Sequence, residues 1–457
     1  MKAVIMAGGM GTRIQSVRAD IPKPMIEICG KPILRYQIEN LRGCGITDIT
    51  LVTGHLGDVI REYFGDGDGF GVRISYFEER TPLGTAGALV KMLPENADTS
   101  CCPAVLDGDF LLLCGDVIFD IDFSRFISFH RSKDAYASLM AHPNGHPYDS
   151  SLLVTEILPP QVPGENPVET SRVTEWLSKE DARGGCRNLV NAGIEIVSPE
   201  LLRLAMRNFV PRHPESPDKI DLDRDILKPG ISTGRIFAYR TPEYIKDMGT
   251  PDRYYETEAD VKSGKVRARN LSRKQRAVFL DRDGTINRKN GFITSPDQFM
   301  LIDGAAAAIR KINRSGYLAV VITNQPVIAR GECTFGELEE IHGKMESELG
   351  KEGAYVDAVY FCPHHPDRGF PGERAEYKTE CDCRKPKPGL ILRAAADLNI
   401  DLSLSFMVGD SRNDVLAGEN AGCGRSVQLE DGYTLADFVS EYLDGSPHGI
   451  TAPEAAS

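Results

Sequence analysis

The sequence is poor in several things, and each scarcity narrows the reading. It has one tryptophan, 7% aromatic residues and no long uninterrupted apolar run. No stretch approaches the roughly 18–20 apolar residues that cross a bilayer, so no membrane-spanning helix and no membrane partner are expected. The apolar run at 3–7 is too short for a secretory leader and leads straight into glycines. Positive charge is in deficit, with 53 Lys and Arg against 66 Asp and Glu and a net charge of −13. That balance argues against a nucleic-acid binder, which is normally basic. It leaves phosphorylated small molecules open, because local cations and backbone amides hold those. The eleven cysteines are an odd number and mostly scattered, which disfavours a disulfide scaffold. Only Cys362, Cys381 and Cys383 cluster, beside a histidine pair. A reduced cytoplasmic protein with one such metal site is expected, and a homo-oligomer is compatible with it.

What is present is two runs of α/β alternation. At 457 residues, 41% of them hydrophobic, the chain is long enough for two to four domains with ordinary cores. Strand patterns at 3–7, 49–53, 73–77 and 110–114 alternate with helical spacing at 33–41 and 57–64. A second series follows: strands at 277–280, 318–322, 356–361 and 405–408, helices at 304–315, 334–349, 388–398 and 413–421. Such alternation implies largely parallel sheets with ligands outside the carboxyl ends of the strands. Four prolines near 159–168 mark a surface loop. Seven basic and no acidic residues between 262 and 276 read as a linker, possible as a helix, and the tail from 446 reads as disordered.

The first strand runs into Ala7-Gly-Gly-Met-Gly-Thr-Arg13. Gly8, Gly9 and Gly11 let backbone amides close on an anion, and Arg13 adds a planar fork for phosphate oxygens. Lys23, between two prolines, supplies a second cation on a stiffened segment. With Thr12, this pattern resembles the sugar-1-phosphate nucleotidyltransferases over about 1–255. The resemblance implies base contacts at Gly84 and Thr85 in Leu83-Gly-Thr-Ala-Gly-Ala88, and sugar contacts at Asn191 and Gly193. It also implies Mg²⁺ on Asp116 and Asp247, with Arg13 and Lys23 stabilising the triphosphate. Lys179 stands where the family carries a phosphate-binding lysine, but its Glu and Pro neighbours are replaced here by Ser178 and Glu180.

At mid-chain, Val278-Phe-Leu-Asp-Arg-Asp-Gly-Thr285 ends an apolar strand in two aspartates. Of Asp281 and Asp283, one can attack phosphorus while the other gives and takes the leaving-group proton. The string resembles the haloacid dehalogenase superfamily. That resemblance implies Thr323 and Lys385 as phosphate-holding groups, and Mg²⁺ on Asp281, Asp283 and Asp410, with Asp414 either supporting the metal or starting a helix. Cys362, His364, Cys381 and Cys383 match a tetrahedral structural zinc, with His365 as an alternative to His364. Together with Arg384-Lys-Pro-Lys-Pro-Gly389, they resemble the D-glycero-D-manno-heptose 1,7-bisphosphate 7-phosphatases over about 276–430. Asn324 and Arg384 are then substrate contacts. Histidinol-phosphate phosphatases share the zinc pattern and are the rival branch.

The implied architecture is α/β throughout: a nucleotidyltransferase-type Rossmann-like mixed sheet at 1–255, a linker at 256–276, a haloacid dehalogenase-type Rossmann-like domain with a zinc loop at 277–445, and a tail at 446–457. The implied function is bifunctional. The second domain removes the 7-phosphate through an aspartyl-phosphate. The first transfers a nucleotidyl group, GTP favoured over ATP, to the sugar 1-phosphate. Mannose or glucose 1-phosphate, or a nucleotide-binding module without catalysis, are the alternatives for the first domain.

Overall fold

In the phosphatase-like half, every residue of the strand Ala277–Leu280 is buried, and its side chains divide between two cores. Val278 and Leu280 pack with Ala319, Val321, Phe406 and Val408 on one face. Ala277 and Phe279 pack with Leu318, Val320, Ile322 and Met407 on the other. A strand covered on both faces has no polar alternation, which is why this one reads as a continuous apolar run. It is the centre of a five-stranded sheet ordered 358–362, 318–324, 277–280, 406–409, 425–428, with every pairing parallel. The helix Phe335–Lys351 opens on a capping box of Thr334 and Glu337, and Arg412–Ala421 on one of Ser411 and Asp414. Reciprocal bonds of this kind satisfy amides that the helix itself leaves unpaired.

The computed structural model describes residues 1–8, 21–97, 105–181, 183–209 and 218–443. Gly9, Gly11, Thr12 and Arg13, and the tail at 446–457, lie outside the described residues. The opening strand Lys2–Met6 belongs to a nine-stranded mixed sheet ordered 73–78, 48–53, 2–6, 110–114, 190–197, 137–142, 236–240, 168–177, 152–158. The first four of these strands pair in parallel, and Val190–Val197 runs antiparallel to Phe110–Cys114. Ala3, Ile5, Leu111, Leu113, Ile194 and Ile196 share one core on a face of this sheet. Among the described residues no helix is long and apolar enough to cross a membrane.

By contacts the chain divides into Met1–Ala141, Ser171–Trp176 and Asn191–Asn270 on one side, and His142–Thr170, Leu177–Val190 and Leu271–Ser457 on the other. Two segments read as parts of the first domain therefore group with the second unit. A buried acid joins Leu177–Val190 to this unit: Glu346 is 1% exposed on the helix Phe335–Lys351. It accepts a 2.8 Å bond from Arg187 and a 2.6 Å bond from the backbone of Asn188, while Arg187 also reaches Glu339 at 2.8 Å. A carboxylate this deep is tolerable only when paired.

The basic stretch is also more than a solvated connector. Pro251–Lys262 and Lys265–Ala268 are helical, and Lys265 pairs with Asp260 at 3.2 Å. Arg269 is buried and donates to the Pro242 carbonyl, and Arg276 lies over the Tyr317 ring. Each of these charges has a local partner, and pattern alone gives no sign of it.

Candidate active sites

The second unit gathers its candidate residues at the carboxyl ends of parallel strands. Asp281 follows Ala277–Leu280, Thr323 falls at the end of Leu318–Asn324, and Asp410 follows Phe406–Gly409. Lys385 reaches the same point and is 4% exposed. Its ammonium donates to Asp281 at 2.7 Å and to the Ile322 carbonyl at 2.8 Å, and it pairs with Asp414 at 2.5 Å. Burial works against that charge, but Asp281 and Asp414 outweigh it and hold the lysine above its ordinary range. Asp281 itself is pushed up to about 6, mainly by burial and with a further push from Asp414, while Lys385 pulls it down.

Asp283 behaves oppositely. Burial would raise it, but the charge of Arg282 and the hydrogen bonds of Asn287, Gln325 and Arg282 hold it below the usual carboxylate range. Arg282 is fully buried and grips the Asp283 carboxylate with two nitrogens, at 3.0 and 2.9 Å. Gln325 donates to both Asp283 and Thr323, at 3.0 and 2.9 Å, and so ties the two candidate groups together.

Oxygens of Asp281, Asp410 and Asp414 lie within 4.8 Å of one another. The Asp283 carboxylate is instead turned to Arg282, Asn287 and Gln325. Asp414 caps its helix by accepting from Ser411 at 2.9 Å, and its carboxylate lies in this acidic group. One buried oxygen of Asp410 has no hydrogen-bond partner, which suits a hard cation that takes oxygen ligands. Its other oxygen accepts from Lys289 at 2.7 Å. Gly284, at φ +89°, lies so close that a Cβ would come 2.3 Å from Asp410. Asn324 serves the Lys385 backbone with both ends of its amide, at 3.0 and 3.1 Å, and it lines the same cavity as Arg384.

The thiol cluster is assembled too. Atoms of Cys362, His364, Cys381 and Cys383 lie within 4.8 Å of one another, with sulfur–sulfur separations of 3.1, 3.2 and 3.5 Å. A tetrahedral zinc with Zn–S of about 2.3 Å has edges of about 3.8 Å, so these side chains fit such an ion. His364 presents Nδ1 to Cys383 and Cys362, at 3.4 and 3.6 Å. His365 is outside this cluster and lines the cavity with Asp281.

In the first unit, Asp116 follows Phe110–Cys114 and forms an ion pair with Lys23. Asp247 ends Tyr244–Asp247, which pairs antiparallel with Val117–Asp120. The Met248 amide donates to the Asp116 carbonyl at 2.9 Å, so the pairing brings the two aspartates together. Arg253 holds the Asp247 carboxylate at 2.7 and 2.8 Å. Gly84 has φ +75° and would set a Cβ 2.3 Å from the Ile220 carbonyl. Thr85 accepts from the Leu222 amide at 2.7 Å, a bond that holds the neighbouring segment in place. A Cβ on Gly8 would meet Gly54 and Glu79, and one on Gly193 would meet Cys114. Asn191 keeps a buried oxygen without a partner. Lys179 is exposed in a turn of Leu177–Val190, a segment of the second unit.

Glu195, absent from the sequence reading, is 3% exposed two residues beyond Gly193 on the same strand face. Burial and the charge of Asp223 push it up to about 8, against an ordinary 4.5. Ionising it in the fold is costly: this penalty is nil below pH about 4.5 and complete above about 8. Glu195→Gln should raise the melting temperature of the first unit at pH 8, by roughly 2–4 °C for each kcal/mol of penalty removed. At pH 4, below the onset of the penalty, it should leave it nearly unchanged, and scanning calorimetry at the two pH values checks this.

Two α/β units, each with carboxylates and cations converging at strand ends, make a phosphate-handling enzyme with two sites. The sequence model of the nucleotidyl transferase family matches residues 2–264, and that of the HAD-hydrolase-like group matches 382–444. The chain is 41% identical over 180 residues to D-glycero-β-D-manno-heptose-1,7-bisphosphate 7-phosphatase of Pasteurella multocida (strain Pm70), covering 38% of this chain and 95% of that protein. With the Escherichia coli (strain K12) protein of the same name the figures are 39% over 181 residues, 38% and 93%. The chain therefore belongs to the nucleotidyl transferase family and, in its phosphatase part, to the family of these heptose bisphosphate phosphatases. Among solved structures, HddC from Yersinia pseudotuberculosis complexed with GMP-PN is 26% identical, covering 57% of this chain and 99% of that one, with a TM-score of 0.43. The protein is a phosphoric monoester hydrolase and a sugar-phosphate nucleotidyltransferase.

Proposed function

We propose that the protein makes a nucleotide-activated heptose for a surface polysaccharide in two steps. The observation that carries this is the pairing of families in one chain. Removing the 7-phosphate from D-glycero-D-manno-heptose 1,7-bisphosphate leaves a sugar 1-phosphate, the substrate class of a sugar-1-phosphate nucleotidyltransferase. A histidinol phosphatase would supply nothing to the first domain, and the identity to heptose phosphatases supports the same choice.

In the phosphatase step, an Asp281 oxygen attacks the C7 phosphorus and the bond to O7 breaks. Asp283, protonated once substrate is bound, passes its proton to O7, then takes one from the water that releases phosphate and restores Asp281. Lys385 and Thr323 hold the phosphoryl oxygens, and Arg384 and Asn324 shape the substrate side. Asp281, Asp410 and Asp414 would hold Mg²⁺, which neutralises charge on the phosphoryl group when bound. Zinc on Cys362, His364, Cys381 and Cys383 would be structural.

In the transfer step, an oxygen of the sugar 1-phosphate attacks the α-phosphorus of a nucleoside triphosphate and pyrophosphate leaves. Asp116 and Asp247 would hold Mg²⁺, and Lys23 and Arg13 would neutralise the triphosphate. The glycine turn with Gly8, Gly9, Gly11 and Thr12, together with Gly84 and Thr85, would hold the nucleotide. Asn191 and Gly193 would hold the sugar. GTP is proposed ahead of ATP on the resemblance of this half to the guanylyl-transferring heptose branch. The cytoplasm, where thiolates stay reduced, is the proposed location.

Incubation with heptose 1,7-bisphosphate, Mg²⁺ and each triphosphate in turn, with products read by mass, tests the scheme. Phosphate release with no nucleotide-heptose under any triphosphate would sink the combined function.

A further inference from the structure

The zinc-type cluster is completed by a strap from far upstream. Segment 159–167 connects the strands Leu152–Leu158 and Val168–Leu177, and it lies within the 2–264 span of the nucleotidyl transferase match. Within the second unit, three successive residues of this strap bond to the metal loop. The Gly164 carbonyl accepts from His364 Nε2 at 2.7 Å. The Glu165 carbonyl accepts from the Tyr377 hydroxyl at 3.0 Å. The Asn166 amide donates to the carbonyl of Phe361, the residue before Cys362, at 3.3 Å.

We propose that this strap is a positioning element for the zinc-type site, with the Gly164 carbonyl fixing the ring and tautomer of His364. The inference rests on the zinc reading given above. A histidine nitrogen that binds metal carries no proton, so with Nδ1 facing the thiolates the hydrogen sits on Nε2. A backbone carbonyl can only accept, so it selects that tautomer and no other. Metal-binding histidines are commonly held this way, and losing such a partner typically costs 10- to 100-fold in metal affinity. Position 164 needs glycine twice over: its φ is +90°, and a Cβ there would come 2.6 Å from the Glu376 carbonyl.

The strap bears on the phosphatase reaction through Arg384. That side chain donates to the His364 carbonyl at 3.1 Å, and it lies between Cys383 and Lys385 in sequence. Fixing His364 therefore fixes the segment that carries two cations into the cavity. The phosphatase part of this chain depends on residues that lie outside its own family match.

The test uses the full-length chain loaded with zinc. Release is followed with a chromophoric chelator, and the cobalt-substituted protein is followed by its visible spectrum. Gly164→Val should speed zinc release roughly 10- to 100-fold and shift the cobalt bands. Tyr377→Phe, which removes one hydroxyl bond and keeps the ring, should speed it roughly 2- to 10-fold. Gln161→Ala, exposed on the same strap, should match the parent. If Gly164→Val fails to fold, Tyr377→Phe decides alone. Release at the parent rate with unshifted bands, or equal acceleration by Gln161→Ala, overturns the inference and leaves the zinc reading standing. A parent chain that takes up neither zinc nor cobalt overturns the zinc reading itself.

Discussion

Asp281→Asn should lower phosphate release from a sugar bisphosphate by at least about 1,000-fold, while nucleotidyl transfer stays within twofold of the parent. Asparagine has nearly the shape of aspartate and can still accept from Lys385, which donates to Asp281 at 2.7 Å. The fold around this 9% exposed position should therefore persist. The loss is chemical: an amide oxygen does not form the acyl-phosphate that a carboxylate forms. Lys385 keeps Asp414 as a counterion at 2.5 Å, so the site is not left with an unpaired buried cation. Measuring both activities on one preparation separates the outcomes. If both fell together while circular dichroism matched the parent, two independent sites would be the wrong description.

Asp116→Asn is the complementary experiment. It should reduce nucleotide-sugar formation from a sugar 1-phosphate by at least about 100-fold and leave phosphate release within twofold. Asp116 forms an ion pair with Lys23, and its carbonyl is bonded to the amide that follows Asp247. Neutralising it removes one of two carboxylates assigned to the cation and frees Lys23 from its partner. Two polyanions must meet at this site, so lost charge neutralisation falls mainly on the transition state. Retention of full transfer activity would remove Asp116 from the proposed cation site.

How far these sites were legible depended on the range of the interaction. Asp281, Thr323 and Asp410 stand directly after or at the end of apolar strands, a local pattern that survives in one dimension. The Cys362, His364, Cys381 and Cys383 spacing was legible because a metal accepts few ligand types. Gln325 carried a signal that went unused: it lies two residues beyond Thr323, hence on the same side of an extended chain. Glu195 carried one too, as a lone carboxylate inside an apolar strand. Arg282 could be read as a spacer between two aspartates, and only its full burial identifies it as the holder of Asp283. The side-chain role of Asp283 turned on the same fact, since its oxygens are committed to Arg282, Asn287 and Gln325.

By itself, the sequence determined the two α/β halves, their order and the residue types at each strand end. These follow from short-range rules: continuous apolar runs for strands buried on both faces, glycine at tight turns and few chemical choices for phosphate or zinc. Tertiary structure alone decided that the Asp414 rather than the Asp283 carboxylate joins the acidic group, and that 142–170 and 177–190 group by contacts with the second unit. It also decided that Gly164 meets His364. Each of those outcomes depends on which buried charge or ring nitrogen finds a partner 100 or more residues away, or on which way a carboxylate turns. Neither follows from spacing along the chain.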